Sequence, residues 1–97
     1  MRIALSLTND ALYKGCEILE VGGRLTLNTA TVEATNIVGR NVAAIVEVIP
    51  ASERDEVVLT GPMAVWAYLV VFHQVVHKFG HVYYDDGRSG AVLIAQH

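Results

Sequence analysis

Ninety-seven residues and 10.5 kDa leave room for one domain and exclude two independent cores. Hydrophobic residues are 53% of the chain and charged ones 18%, which excludes a disordered segment. Ten acids against seven bases, a formal charge of −3, exclude the basic stripe of a general DNA- or RNA-backbone binder, so no duplex DNA partner is expected. A small anionic ligand held by a few focused donors remains compatible with that charge. The one cysteine, Cys16, rules out an internal disulfide and a cysteine-based zinc site. No secretory leader is read at the N-terminus. The longest apolar run, Met63 to Phe72, is about half the ~20 residues of a membrane span, so no membrane partner is expected. The reading is a cytoplasmic domain. So much apolar surface on so short a chain also predicts a homodimer or larger homo-oligomer.

Arg2 to Leu7 alternates in part and reads as an opening strand, closed by Thr8-Asn9-Asp10. Tyr13 to Val21 fits either a strand or a short helix. Gly22-Gly23 makes a turn, from which Arg24 to Leu27 pairs back as a hairpin strand. Asn28 or Thr29 is placed to cap a helix from about Ala30 to Val38, with Gly39 past its end. The run Val42 to Ile49 reads as a buried strand closed by Pro50, followed by a polar loop over Ala51 to Asp55. Glu56 to Leu59 is a further short strand. Thr60-Gly61-Pro62 then opens the longest helix, Pro62 to Phe79, stopped by Gly80. His81 to Tyr84 and Ala91 to Ala95 are the last strands, joined by a turn over Asp85 to Gly90.

Strand, helix and strand in that order normally make a crossover between parallel strands. The fold expected is therefore a single α/β domain, a small mixed β-sheet with two helices, Rossmann-like in its crossover. Ligands in such sheets favour the carboxyl ends of the parallel strands, here Thr60-Gly61-Pro62 and Asp85 to Arg88. The free N–H groups at a helix start suit a phosphate, and Trp66 lies one turn in. Asp85 and Arg88 bring an acid and a cation to the same rim; an Asp86-Gly87 turn carrying a solvated arginine is the alternative. His73 and His77, four apart, share a helix face and suit metal binding or acid–base work, or are half-buried interface residues. A helix of that length puts His77 roughly 25 Å from its start, so the two ends meet most easily across a subunit boundary.

The order Thr60-Gly61-Pro62, Trp66, His73 and His77, Tyr84-Asp85, Arg88, Gly90-Ala91 and Gln96-His97 resembles the CRISPR-associated Csx-three family, ring nuclease three. The likeness covers Val57 to His97, about 40% of the chain. Asp86-Gly87 stands where the family has a single proline between acid and arginine. The resemblance implies a CARF-related fold and a metal-dependent phosphodiesterase that cleaves cyclic tetra-adenylate in type III CRISPR antiviral defence, with Mn2+ required. It also implies the alternatives of a CARF-like sensor that binds the ring uncut and of an RNA 3′-end exoribonuclease. By the same resemblance His77, Asp85 and Arg88 are the catalytic positions. Thr60, Gly61, Pro62, Trp66 and His73 are ligand-binding, and Asp85 and His97 are metal ligands.

Overall fold

A computed structural model describes residues Met1 to His97. Six strands and two helices follow in the order β1 (Arg2–Ala4), β2 (Ile18–Val21), β3 (Arg24–Leu27), α1 (Thr31–Glu47), β4 (Glu56–Thr60), α2 (Val65–Val75), β5 (His81–Asp85) and β6 (Ala91–Gln96). A short 3-10 turn, Ala51–Glu53, precedes β4. The main sheet has the order β1-β4-β5-β6, and β2 and β3 form a separate hairpin. Strands β1, β4 and β5 are parallel, and β6 returns antiparallel to β5. The expected α/β domain with a mixed sheet and two helices is what the chain forms.

The register places Ile3 beside Leu59 and Val57 beside Val82, so the buried sheet residues all lie on one face. That face shares a hydrophobic cluster with Val38, Val42 and Val46 of α1 and with Ala67, Val71 and Val75 of α2. The opposite face carries Arg2, Val58, Tyr83 and Leu93, none of them fully buried.

The strand expected at Val42 to Ile49 does not exist. Helix α1 continues through Gly39 to Glu47. Its buried residues Ala34, Ile37, Val38, Val42 and Val46 recur at helical spacing, and that burial outweighs the strand preference of a valine-rich run. A Cβ at Gly39 would stand 3.5 Å from Cγ1 of Val70 on α2, an ordinary contact. The expected Asn28 or Thr29 cap is absent too. Ala30 occupies that position, while the Thr29 hydroxyl accepts the Glu17 N–H at 2.7 Å and the Asn28 amide donates to the Glu17 carboxylate. At the other end the Arg54 guanidinium donates to the carbonyls of Ile49, Val46 and Glu47 at 2.9, 3.2 and 3.4 Å, satisfying groups that a helix end leaves open.

Helix α2 is shorter than expected, eleven residues instead of the span Pro62 to Phe79. Pro62 to Ala64 form a loop, and beyond Val75 a turn carries Phe79 into the core, where it is 2% exposed. No helix is long and apolar enough to cross a membrane.

Candidate functional site at the sheet rim

Parallel pairing sets Thr60 beside Asp85 at the carboxyl ends of β4 and β5. The Thr60 hydroxyl donates to the Asp85 carbonyl at 2.8 Å and ties the two strand ends together. The chain then turns sharply at Gly61, whose φ of +101° is the left-handed region open to glycine. A Cβ at Gly61 would stand 3.2 Å from the backbone nitrogens of Leu5 and Ser6. Its carbonyl accepts the Tyr68 hydroxyl from the first turns of α2. An open pocket of about 330 Å3 results, lined by Thr60 to Pro62 on one side and Tyr84 to Gly87 on the other. The convergence expected from the strand–helix–strand order is present.

The partner of Asp85 differs from expectation. Its carboxylate accepts a hydrogen bond from Arg2, at 2.9 Å, on the far side of β4. The second carboxylate oxygen accepts the Gly87 N–H at 2.8 Å. These bonds, the Arg2 bond first, hold the Asp85 carboxyl below its ordinary range. Asp86 is held low as well, by the backbone N–H groups of Ser89 and Arg88, which its side chain caps at 3.0 and 2.8 Å. Arg88 sits in this exposed turn, and its guanidinium makes no hydrogen bond or ion pair within the chain. Arg2 carried no mark in the sequence; only the β1–β4 pairing brings it to the rim.

The histidines divide differently from their spacing. His73 lines the crevice between α1 and α2, beside Arg40 and Gln74. His77 lies beyond the end of α2, in the turn closed by the Lys78 N–H on the Val75 carbonyl. The two are therefore not joined in one site. His77 instead meets His97, with ring centroids 5.7 Å apart. The His97 N–H donates to the Gly80 carbonyl at 2.7 Å, which fixes this pair at the amino end of β5.

Asp85 lies five residue steps beyond Gly80 along extended chain, roughly 16 Å at the strand rise. Asp85 and His97 of one chain therefore cannot ligate one ion, whose bonds are about 2 Å long. No three His, Cys, Asp or Glu side chains come together as a metal site. Trp66 packs against the hydrophobic cluster and does not line the rim pocket; Tyr84, in edge-on contact with Tyr68 at 5.4 Å, is the aromatic there.

The chain matches no family model, and comparison with the curated proteins and with the solved structures returns no match.

Proposed function

We propose that this chain is a phosphodiesterase of cyclic tetra-adenylate, a ring nuclease related to the Csx-three family and to the CARF sensors. The observation that carries the reading is the rim pocket, where a glycine turn before a helix meets an acidic, arginine-bearing turn at the ends of two parallel strands. Arg88 stands unpaired in the turn beside this rim, where a guanidinium suits a phosphate oxygen. A compact ring needs a concave pocket, not a basic surface, which agrees with the net charge of −3.

Cleavage of a phosphodiester forms a bond from phosphorus to water or to the ribose 2′-hydroxyl and breaks the bond to the leaving oxygen. One proton leaves the nucleophile and one reaches the leaving group. Asp85, held ionised by Arg2, is poorly tuned to take that proton near neutral pH, and serves instead as a fixed acceptor that orients a ribose hydroxyl. His77 and His97, whose rings lie together, are the acid–base groups of the proposal. Mn2+, expected for the family, finds no ligand set within one chain.

The distance between the rim and the histidine pair favours a second reading, a sensor that binds the ring and leaves it intact. Incubation with cyclic tetra-adenylate, with and without Mn2+, separates the two. Ring opening supports the phosphodiesterase, tight binding without products supports the sensor, and neither outcome removes both. In the same assay Arg88→Ala is expected to weaken binding about tenfold or more, the loss of a charge-assisted hydrogen bond. His77→Ala and Asp85→Ala are expected to bind the ring and lose cleavage by about 100-fold or more. Unchanged binding by Arg88→Ala would remove its role as a phosphate clamp.

A further inference from the structure

Strand β6 closes one edge of the main sheet, and nothing in the chain pairs with its outer side. Its residues, Ala91-Val92-Leu93-Ile94-Ala95-Gln96, include no charge and no proline. Natural edges usually carry one or the other to prevent pairing with a second strand. The opposite edge shows the usual protection: β1 is three residues long and bears Arg2. The one protective device in β6 is a single-residue irregularity opposite Val82–Tyr83, which bends it locally.

The side chains of β6 are apolar on both faces of the sheet. Val92, Leu93 and Ile94 remain 51%, 45% and 54% exposed. That pattern belongs to a strand in the interior of a sheet, not to a solvated edge. On the helix side the apolar surface continues into a groove of about 530 Å3, walled by Val65, Leu69, Phe72, Tyr84 and Ile94, whose lining is hydrophobic throughout. Two such surfaces approach each other without like-charge repulsion, whereas nothing on them selects a charged partner.

We infer that two copies of the chain pair β6 with β6 antiparallel about a twofold axis near Leu93–Ile94, making one continuous sheet of eight strands. An isologous antiparallel contact of this kind satisfies the open backbone groups of both edges at once. It also has a consequence for the residues separated within one chain. Strand β6 starts at the rim, beside Asp85, and ends beside the His77–His97 pair. An antiparallel partner reverses that direction, so the partner subunit's Ala91 lies beside Gln96. The partner subunit's Arg88 turn then lies beside His77 and His97. The dimer thus assembles two equivalent sites, each joining the phosphate-clamping turn of one subunit to the histidine pair of the other. The interface stands on the edge strand alone; the catalytic value of the composite site rests on the phosphodiesterase reading.

Sedimentation or light scattering at micromolar concentration is expected to show a dimer. Leu93→Lys, with its folding checked by circular dichroism, should raise the dissociation constant at least about tenfold by placing an unpaired charge at the contact. The orientation is tested independently by a short bismaleimide on a Cys16→Ser background. A mixture of Arg88→Cys and His97→Cys proteins should cross-link to a covalent dimer, while either protein alone should not. A monomeric wild type, a dimer unaffected by Leu93→Lys, or cross-linking equal in the single-variant controls would overturn the interface. Cyclic tetra-adenylate cleavage is read separately. A dimer that cross-links as described and never cleaves the ring supports the interface and removes the phosphodiesterase reading, while a cleaving monomer does the reverse.

Discussion

Gly61 joins the end of β4 to the loop before α2, and its backbone occupies a conformation that a side chain strains. The two backbone nitrogens 3.2 Å from its missing Cβ belong to the β1 exit and have no flexible atom to move aside. Gly61→Ala is therefore expected to lose about 1–3 kcal/mol in denaturant unfolding. A variant as stable as the parent would show that the turn rearranges freely. The Asp85 carboxyl is linked to stability with a definite sign. Its folded pKa lies below the ordinary value of 3.8, so the stabilisation is present above that value and is lost as pH falls through the folded pKa. Removing the guanidinium with Arg2→Ala should cost stability at neutral pH and leave little difference once acid has protonated Asp85. Acid unfolding of both proteins measures this, and a gap independent of pH would deny the pair its role. Tyr13 behaves in the opposite direction. Burial raises its phenol to about 12, and its hydroxyl donates to the Leu5 carbonyl. The unfolded phenol ionises near 10, so stability present below pH 10 should drain away between about 10 and 12. Tyr13→Phe should flatten that alkaline limb.

Among the elements, α1 shows how burial overrides local preference. Its second half is rich in β-branched residues and looks like a strand when read alone. Two contacts outside the helix hold it in place: the Asn41 amide donates to the carbonyls of Leu12 and Lys14 at 2.8 and 2.9 Å, and Arg54 caps the carboxyl end. Gly39 is the helix's weak position on propensity. Its missing Cβ would meet Val70 at 3.5 Å, ordinary contact, so Gly39→Ala is expected to stabilise by about 0.5–1 kcal/mol. A larger side chain there should force α1 from α2; thermal melts of Gly39→Ala and Gly39→Leu should therefore move in opposite directions. Helix α2 was recognisable because its apolar run is bounded by Gly61-Pro62 and Gly80. Its true ends depend on where Phe79 and Tyr68 must reach, which local punctuation does not encode.

For the whole molecule, the accessible surface is 6010 Å2, against about 5400 Å2 for a compact monomer of this mass. The excess agrees with an exposed hairpin and an open apolar edge. The β4–α2–β5–β6 order and the meeting of Thr60-Gly61-Pro62 with the Asp85 turn were legible along the chain. Turns, glycines and periodic apolar runs are local, and parallel crossover topology brings strand ends together wherever they lie in sequence. Three things waited for the fold: the Arg2–Asp85 pair, the separation of His73 from His77, and the distance from Asp85 to His97. Each depends on a contact between segments far apart in the chain or on where a helix stops. Such contacts are selected by the packing of one hydrophobic cluster as a whole, and no single segment carries the information that decides them.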